Sequence, residues 1–593
     1  MIDRRLVSTA AWVAIAALLG ACSGAPSAGI VPTAGTAEGR IAPQRHSKTS
    51  AVFSLKIHRH GKRRHAHYLS GSTGSLTFAV YDSTHTHLYA HLTANTIPGF
   101  GGCTALAGGL FTCTFSVAAP AGIDAFDVTA FDNLGGTGNA LSLVADRLVK
   151  IAGGKANAIP MVLDGIPKTV DIGLGATSPL AADPLNAENF IFAGVGPKAA
   201  QVLSVQTEDA EQNAIVGPGS PTYTMQSNDP ADVSIVPVAG SPNAFKVTPL
   251  HVTSGTIQLT VQATPLDGAG PAVYGHFPLQ ITPLLYVANG ATNTISEYAS
   301  WSTSPILTIP SSAGIANPFT MKVDASGNLY EANLVGGTMG SLNVFAPGTT
   351  VASRTISGLS GPDVGLAIDQ AGDIFVTEAV GGVDVKEFTP AGGNTPSRTL
   401  SSTTSPTGIN TPAGLAIDAA GNLYVANNGG SIGVSVFAPG TSTTPSFAFN
   451  TGTNKPYYTV FDAAGNLYVS NYGGNDVTEY SPPFSSGTVV HHTFGSSMTT
   501  LKPLAIAVDS LSDVYIGLGS GTVVEYDSSG AIVRTLTSVG SSIPSLAVDP
   551  LDNADIPGDS ANAAYIYAPG TSTMPASTFT TGVGDPVSVA SWP

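Results

Sequence analysis

Short apolar runs separated by glycine-rich polar turns fill the C-terminal half of the chain. Leu285-Tyr286-Val287-Ala288-Asn289 returns as Leu329-Tyr330-Glu331-Ala332-Asn333, as Leu423-Tyr424-Val425-Ala426-Asn427 and as Leu467-Tyr468-Val469-Ser470-Asn471. Looser copies read Ile374-Phe375-Val376-Thr377-Glu378 and Val514-Tyr515-Ile516-Gly517, and a degenerate seventh lies near Ala554-Asp555-Ile556. The aromatic falls at 286, 330, 375, 424, 468 and 515, intervals of 44 to 49 residues. Periods of that size mark structural repeats. Within a repeat, a first run such as Ala413 to Asp418 leads through Ala420-Gly421-Asn422 into the Leu-Tyr-Val-Ala-Asn run. Glycine beside Asp or Asn suits a hairpin turn that needs positive φ. A third run ends in an aromatic at 298, 345, 388, 437, 480, 526 and 567, and four of these are followed by Ala or Thr and then Pro. Proline removes a ladder donor, so the strand stops there. A fourth run follows, as in Ser353-Arg354-Thr355-Ile356 and Val533-Arg534-Thr535-Leu536. Runs this short between turns are strands, and no helical period is long enough for βαβ units.

Four antiparallel strands per repeat predict propeller blades. The copy at Leu285 lacks a first strand, and Asp585 to Ala590 reads as a first strand without a blade. Joining them predicts seven blades, with six as the rival count. Two further units precede the repeats. Ser75 to Tyr81, Phe111 to Val117 and Ile123 to Thr129 alternate, with Val170 to Ile172 expected as the last strand of a domain over 51–175. Ala200 to Gln206, Val233 to Val236, Phe245 to Val247 and Ile257 to Ala263 suggest a second sandwich over 188–283. The expected fold class is all-β: two Ig-like β-sandwich modules, then a seven-bladed β-propeller over 284–593, closed by its C-terminal strand.

Composition narrows the class. The 593 residues carry 10% charged side chains, 68 Gly and 42 Pro at a mean hydropathy of +0.21, which fits an extracytoplasmic all-β protein better than a disordered one. A net charge of −16 argues against a nucleic-acid partner. Residues 1–21 have a basic start at Arg4 and Arg5 and an apolar run from Ala10 to Leu19, shorter than a membrane span. Leu19-Gly20-Ala21-Cys22 resembles the bacterial lipoprotein box, with Cys22 lipidated; a plain signal peptide with a chance cysteine is the other reading. Residues 22–50 read as a flexible tether. The resemblance implies an acyl-anchored envelope protein. Cys103 and Cys113 then remain, with nine residues between them, and a disulfide stapling a hairpin or loop is expected over a redox pair lacking C-x-x-C spacing.

Pro412 to Asn427, reading PAGLAIDAAGNLYVAN, resembles an NHL-type blade. That propeller superfamily includes the SMP-30/gluconolactonase enzymes and virginiamycin B lyase. The module at 188–283 is similar to bacterial Ig-like spacers. A gluconolactonase-like activity implies a divalent ion, Ca²⁺ or another, held by side chains at the ends of second runs. The candidates are Glu378, Asn289, Asn333, Asn427 and Asn471, which also suit turns. The lyase would need a catalytic histidine, but His491 and His492 follow Val489-Val490 in an outer run. No G-x-S-x-G, H-E-x-x-H or phosphate-binding glycine loop occurs. Eight histidines precede residue 92, among them His58, His60, His65 and His67 around Arg59, Arg63 and Arg64, and the separate His85-Thr86-His87. A solvated basic segment and a Zn or Ni site are both open for them.

Without a catalytic cluster, the expectation is a non-catalytic envelope lipoprotein with no required cofactor. Its repeats would bind a protein, peptide or cell-wall glycan, with Tyr457, Tyr458 and Tyr472 as candidate contacts. Membrane lipid would be a partner through the acyl chains. The alternatives are a metal-dependent hydrolase or lactonase and a structural envelope spacer.

Overall fold

A computed structural model describes residues 49–592, apart from 59–71, 98, 100–101, 106–109, 183–188, 218, 267–269, 335–339, 379–383, 402–407, 430–431, 496–501 and 538. The leader, Cys22, most of the tether and His60, His65 and His67 therefore lie outside the described residues. Among the described residues no helix is long and apolar enough to cross a membrane, and the expected membrane anchoring draws no support from them.

Among the described residues the chain is all-β, in eleven sheets. Ser50–His58 pairs with Leu110–Ala118 in one four-stranded sheet, and Ser75–Asp82 lies between Leu88–Asn95 and Gly122–Phe131 in a five-stranded one. Phe53, Phe78, Phe115 and Phe126 fill the core between them. Cys103 and Cys113 are directly opposite across a strand pair and form a disulfide, as their spacing implied.

Thr169–Leu174 does not complete this first module. It pairs with Gln201–Glu208, and Ile172 packs among Phe190, Leu203 and Val247 of the next two sheets. The alternation at Val170 to Ile172 was readable, but the choice between two apolar cores was not.

From Leu284 onward there are seven four-stranded antiparallel sheets, called units here in chain order of their Leu-Tyr-type strands. The fifth unit shows the pattern, with strands Pro456–Phe461, Leu467–Asn471, Asp476–Tyr480 and His492–Phe494. The first unit consists of Leu284–Asn289, Thr294–Tyr298 and Leu307–Ile309, joined by Pro586–Trp592 on the other side of Leu284–Asn289. The expected NHL-type seven-bladed β-propeller, closed by its C-terminal strand, is corrected by this pairing. Pro586–Trp592 completes one four-stranded unit, and none of the eleven sheets closes on itself. Side-chain packing joins successive units instead. Phe375, Val385 and Leu400 of the third pack with Leu423, Val425 and Phe437 of the fourth. Tyr424, Val434 and Phe449 of the fourth then pack with Leu467, Val469 and Tyr480 of the fifth. Burying the apolar positions of both faces supplies the stabilisation that backbone ladders between units do not.

Arginines bind neighbouring units together at their outer strands. Arg398 of the third unit donates to the carbonyls of Ala438 and Ser442 in the fourth, each at 3.1 Å. Arg534 of the sixth donates in the same way to Ala568 and Ser572 in the seventh, each at 2.8 Å. These carbonyls belong to the Ala-Pro-Gly turns that end the third strands. Both guanidiniums are buried, and each also pairs with a glutamate on its own sheet, Glu387 and Glu525.

The C-terminal Trp592 joins the repeats to the second module. Its fully buried ring packs with Leu180, Ala193, Leu284, Met321 and Leu329. Gly194 (φ +74°) and Gly327 (φ +81°) lie against it, and a Cβ on Gly194 would come within 2.5 Å of the indole. Only glycine meets both the backbone and the space requirement there.

Candidate functional site

In units two to seven the Asp at the end of the first strand holds the turn that follows. Its Oδ1 accepts the N–H four residues on at 2.8–2.9 Å in Asp324, Asp418, Asp462 and Asp549. That end of each unit is therefore built around its own turns.

The opposite end carries the asparagines expected as metal ligands, and all four are fully buried. Asn333, Asn427 and Asn471 each accept, through Oδ1, a backbone N–H from the loop entering the same unit: Ala316 at 2.6 Å, Asn410 at 2.8 Å and Asn454 at 3.0 Å. Asn289 accepts from Gly584 at 3.0 Å, in the loop entering the chain-terminal strand. Each Nδ2 donates to a hydroxyl on the third strand: Ser296, Ser341, Ser435 or Thr478. Glu378 holds the same place in the third unit. Its Oε1 accepts the Ser360 N–H at 2.7 Å, and its Oε2 lies 2.6 Å from Lys386 Nζ. Burial and the neighbouring Glu378 push the Asp384 carboxyl up to about 6. In each case the side chain is engaged within its own unit and ties the entry loop to the sheet. Among the described residues no group of three His, Cys, Asp or Glu side chains could hold a metal ion.

The entry loops share a second feature. Asn317, Thr411, Lys455, Lys502 and Asp585 each precede a proline and have φ between +43° and +54°. Left-handed backbone is costly for such residues, most of all for the β-branched Thr411, and a following proline disfavours it further. The conformation is held from both sides. Each carbonyl accepts the N–H of the residue after the second strand, as Tyr472 N–H does to Lys455 at 3.1 Å. The N–H of Lys502 donates to Asn475 Oδ1 of the preceding unit at 3.2 Å, and that of Asp585 to Asn562 at 2.8 Å. Backbone strain persists where surroundings over-determine it, and here it fixes the side chains that the loops present.

On the fifth and sixth units those side chains are Lys455 and Lys502, beside Tyr457 near the start of the first strand and Tyr472 just after the second. The half-buried rings of Tyr457 and Tyr472 have centroids 6.1 Å apart, and Lys502 Nζ lies 5.8 Å from the Tyr472 ring. Tyr458 belongs to the first strand and, like Val460 and Val508, packs against the core that holds Tyr468 and Ile506. Lys322 of the second unit reaches it, with Nζ 5.9 Å from the ring, so the first strands of units two and five lie near one another. The three tyrosines named from sequence are all half-buried, Tyr472 just after a strand and Tyr457 and Tyr458 at successive, oppositely facing positions of another. The lysines were missed, because Lys322 lies more than a hundred residues from Tyr458 in sequence.

No protein-family description and no curated protein matches this chain. Among solved structures it is similar to a crystal structure of a protein from Lactobacillus plantarum. That likeness has 13% identity and a TM-score of 0.42, and covers 52% of this chain and 99% of that one.

The remaining candidates lie elsewhere. His491 Nδ1 is 3.1 Å from Glu479 Oε1 at the outer side of unit five, and His492 begins the outer strand. In the first module, His85 Nε2 is 3.0 Å from Asp127 Oδ2, while the His87 ring meets Tyr89.

Proposed function

We propose that the repeat region is a non-catalytic binding module of the extracytoplasmic cell envelope, with Tyr457, Tyr472 and Lys502 forming its contact surface. The observation that carries this reading is the Tyr457–Tyr472–Lys502 cluster, in which Tyr457 follows, and Lys502 belongs to, an entry loop whose strained backbone is fixed by hydrogen bonds. Rigid aromatic groups supply contact area at small entropic cost, which is what a recognition surface needs. The disulfide and the leader-like start of the chain support an oxidising compartment outside the cytoplasm. The buried, internally bonded Asn289, Asn333, Glu378, Asn427 and Asn471 favour binding over a metal-dependent hydrolase.

The test is a binding screen of the full chain against cell-wall glycan fragments and peptides, repeated with Tyr472→Ala, Tyr457→Ala and the distant exposed Tyr274→Ala. Each of the first two should weaken the selected ligand by about tenfold or more, as loss of a contact tyrosine commonly does. Tyr274→Ala should leave it unchanged. Equal binding by all three variants would remove this surface as the site.

A further inference from the structure

We infer that this surface selects an anionic glycan, one whose sugar rings carry carboxylates. The inference rests on the binding reading above and adds the ligand's charge.

It comes from how the repeat region uses its few cations. Residues 284–593 contain seven lysines and arginines: Lys322, Arg354, Lys386, Arg398, Lys455, Lys502 and Arg534. Four have structural duties. Arg398 and Arg534 pair with buried glutamates and bind the next unit's turn. Arg354 donates to the carbonyls of Thr389, Pro390 and Gly393. Lys386 pairs with Glu378.

The remaining three have no such duty, and two of them lie against tyrosine rings. Lys502 lies over Tyr472, Lys322 lies over Tyr458, and Lys455 fixes the Tyr472 backbone and precedes Pro456-Tyr457. Among the described residues none of the three has a carboxylate within ion-pair distance. In a chain of net charge −16, Lys502 over the Tyr472 ring and Lys455 on the adjoining entry loop, both without an acidic partner among the described residues, are not the expected background.

The chemistry of the cluster follows. Tyrosine faces present apolar area to the C–H faces of a pyranose ring, and the ammonium groups beside them donate charge-assisted hydrogen bonds to a carboxylate on that ring. A lysine held over an aromatic face keeps its outward N–H groups available. The left-handed backbone at Lys455 and Lys502 fixes where both side chains leave the loop. A neutral sugar would use the rings alone, while a uronate would use both.

Calorimetry of the full chain with four probes tests this: a galacturonic acid tetrasaccharide, its methyl ester, a neutral glucan tetrasaccharide and hexaglutamate. The acid tetrasaccharide should bind at least about tenfold more tightly than its methyl ester, since a lost charge-assisted contact is of that order. The preference should weaken with salt. Lys502→Gln should remove most of the preference, and Lys502→Arg should keep it. Both substitutions are at an exposed side chain, and unchanged thermal midpoints would show that they fold. Equal binding of acid and ester would overturn the inference. If the neutral glucan also bound and Tyr472→Ala abolished it, the binding reading would survive without charge selection. Tighter binding of hexaglutamate would overturn the glycan assignment, and no binding of any probe would overturn the inference and withdraw support for glycans as the ligand class.

Discussion

Asn471 Oδ1 accepts the backbone N–H of Asn454 at 3.0 Å, so the end of one strand holds the loop that leads into its neighbour. The same side chain donates to Asp476 and Thr478 on the other side. Asn471→Ala leaves the Asn454 N–H without its acceptor and removes both donated bonds, a cost of about 1–3 kcal/mol. A lower thermal midpoint is expected. Because Tyr472 and Lys455 are fixed by this loop, ligand affinity should fall as well. An unchanged midpoint would show that the asparagine does not hold the loop.

Arg534 and Glu525 are a buried pair, and removing one member strands the other charge. Arg534→Met should cost about 3–5 kcal/mol, also releasing the Ala568 and Ser572 carbonyls of the next unit. The double variant Arg534→Met with Glu525→Leu should recover much of that loss. Equal midpoints for the single and double variants would show that the loss is not due to the unpaired Glu525.

Glu331 gives the repeats a pH dependence. Burial pushes its carboxyl up to about 8, against an ordinary value of 4.5, with only the Asn343 amide offsetting this. The folded state therefore holds a proton that the unfolded state releases. Its contribution is fully present below about 4.5 and is lost as pH rises through about 8. Glu297, pushed up to about 7 by burial, acts in the same direction. Thermal midpoints should fall between pH 5 and pH 8, and Glu331→Gln should flatten that slope. A slope unchanged by the substitution would place the titrating group elsewhere.

Trp592 is the ring on which the second module and the repeats meet. Trp592→Ala should cost about 3–5 kcal/mol through the cavity it leaves. Gly194→Val, which places a branched side chain into the ring, should destabilise the same junction without touching the tryptophan. Both variants should become cleavable by protease between the second module and Leu284. Resistance equal to the parent chain would show that other contacts hold the junction.

The strands of the repeats were legible because each repeat restates the same alternation and turn chemistry, so one ambiguous copy is corrected by six others. The asparagines were not, since a carboxamide after a strand suits a ligand, a turn or a latch. What decides is a backbone N–H brought back by the sheet register. The Asp residues before the turns are simpler: the turn amides they accept from lie two to four residues away. The placement of Val170 to Ile172 failed for a related reason, as it chooses between cores that only the assembled fold brings together. The binding surface was half legible. Its tyrosines stand out in a loop, but Lys322 reaches Tyr458 from three units away.

The pairing of Pro586–Trp592 with Leu284–Asn289 also bears on how the protein is made. Asn289 and its partner Gly584 are 295 residues apart, so the first unit to emerge during synthesis waits for a strand near the end of the chain. Until then the edge of Leu284–Asn289 has unpaired N–H and C=O groups of the kind that recruit strands from other chains. Bringing such distant segments together is slow compared with forming a local hairpin. The growing repeat region thus passes through a long interval in which this strand edge is made and still unpaired, and escort by a chaperone would matter most then.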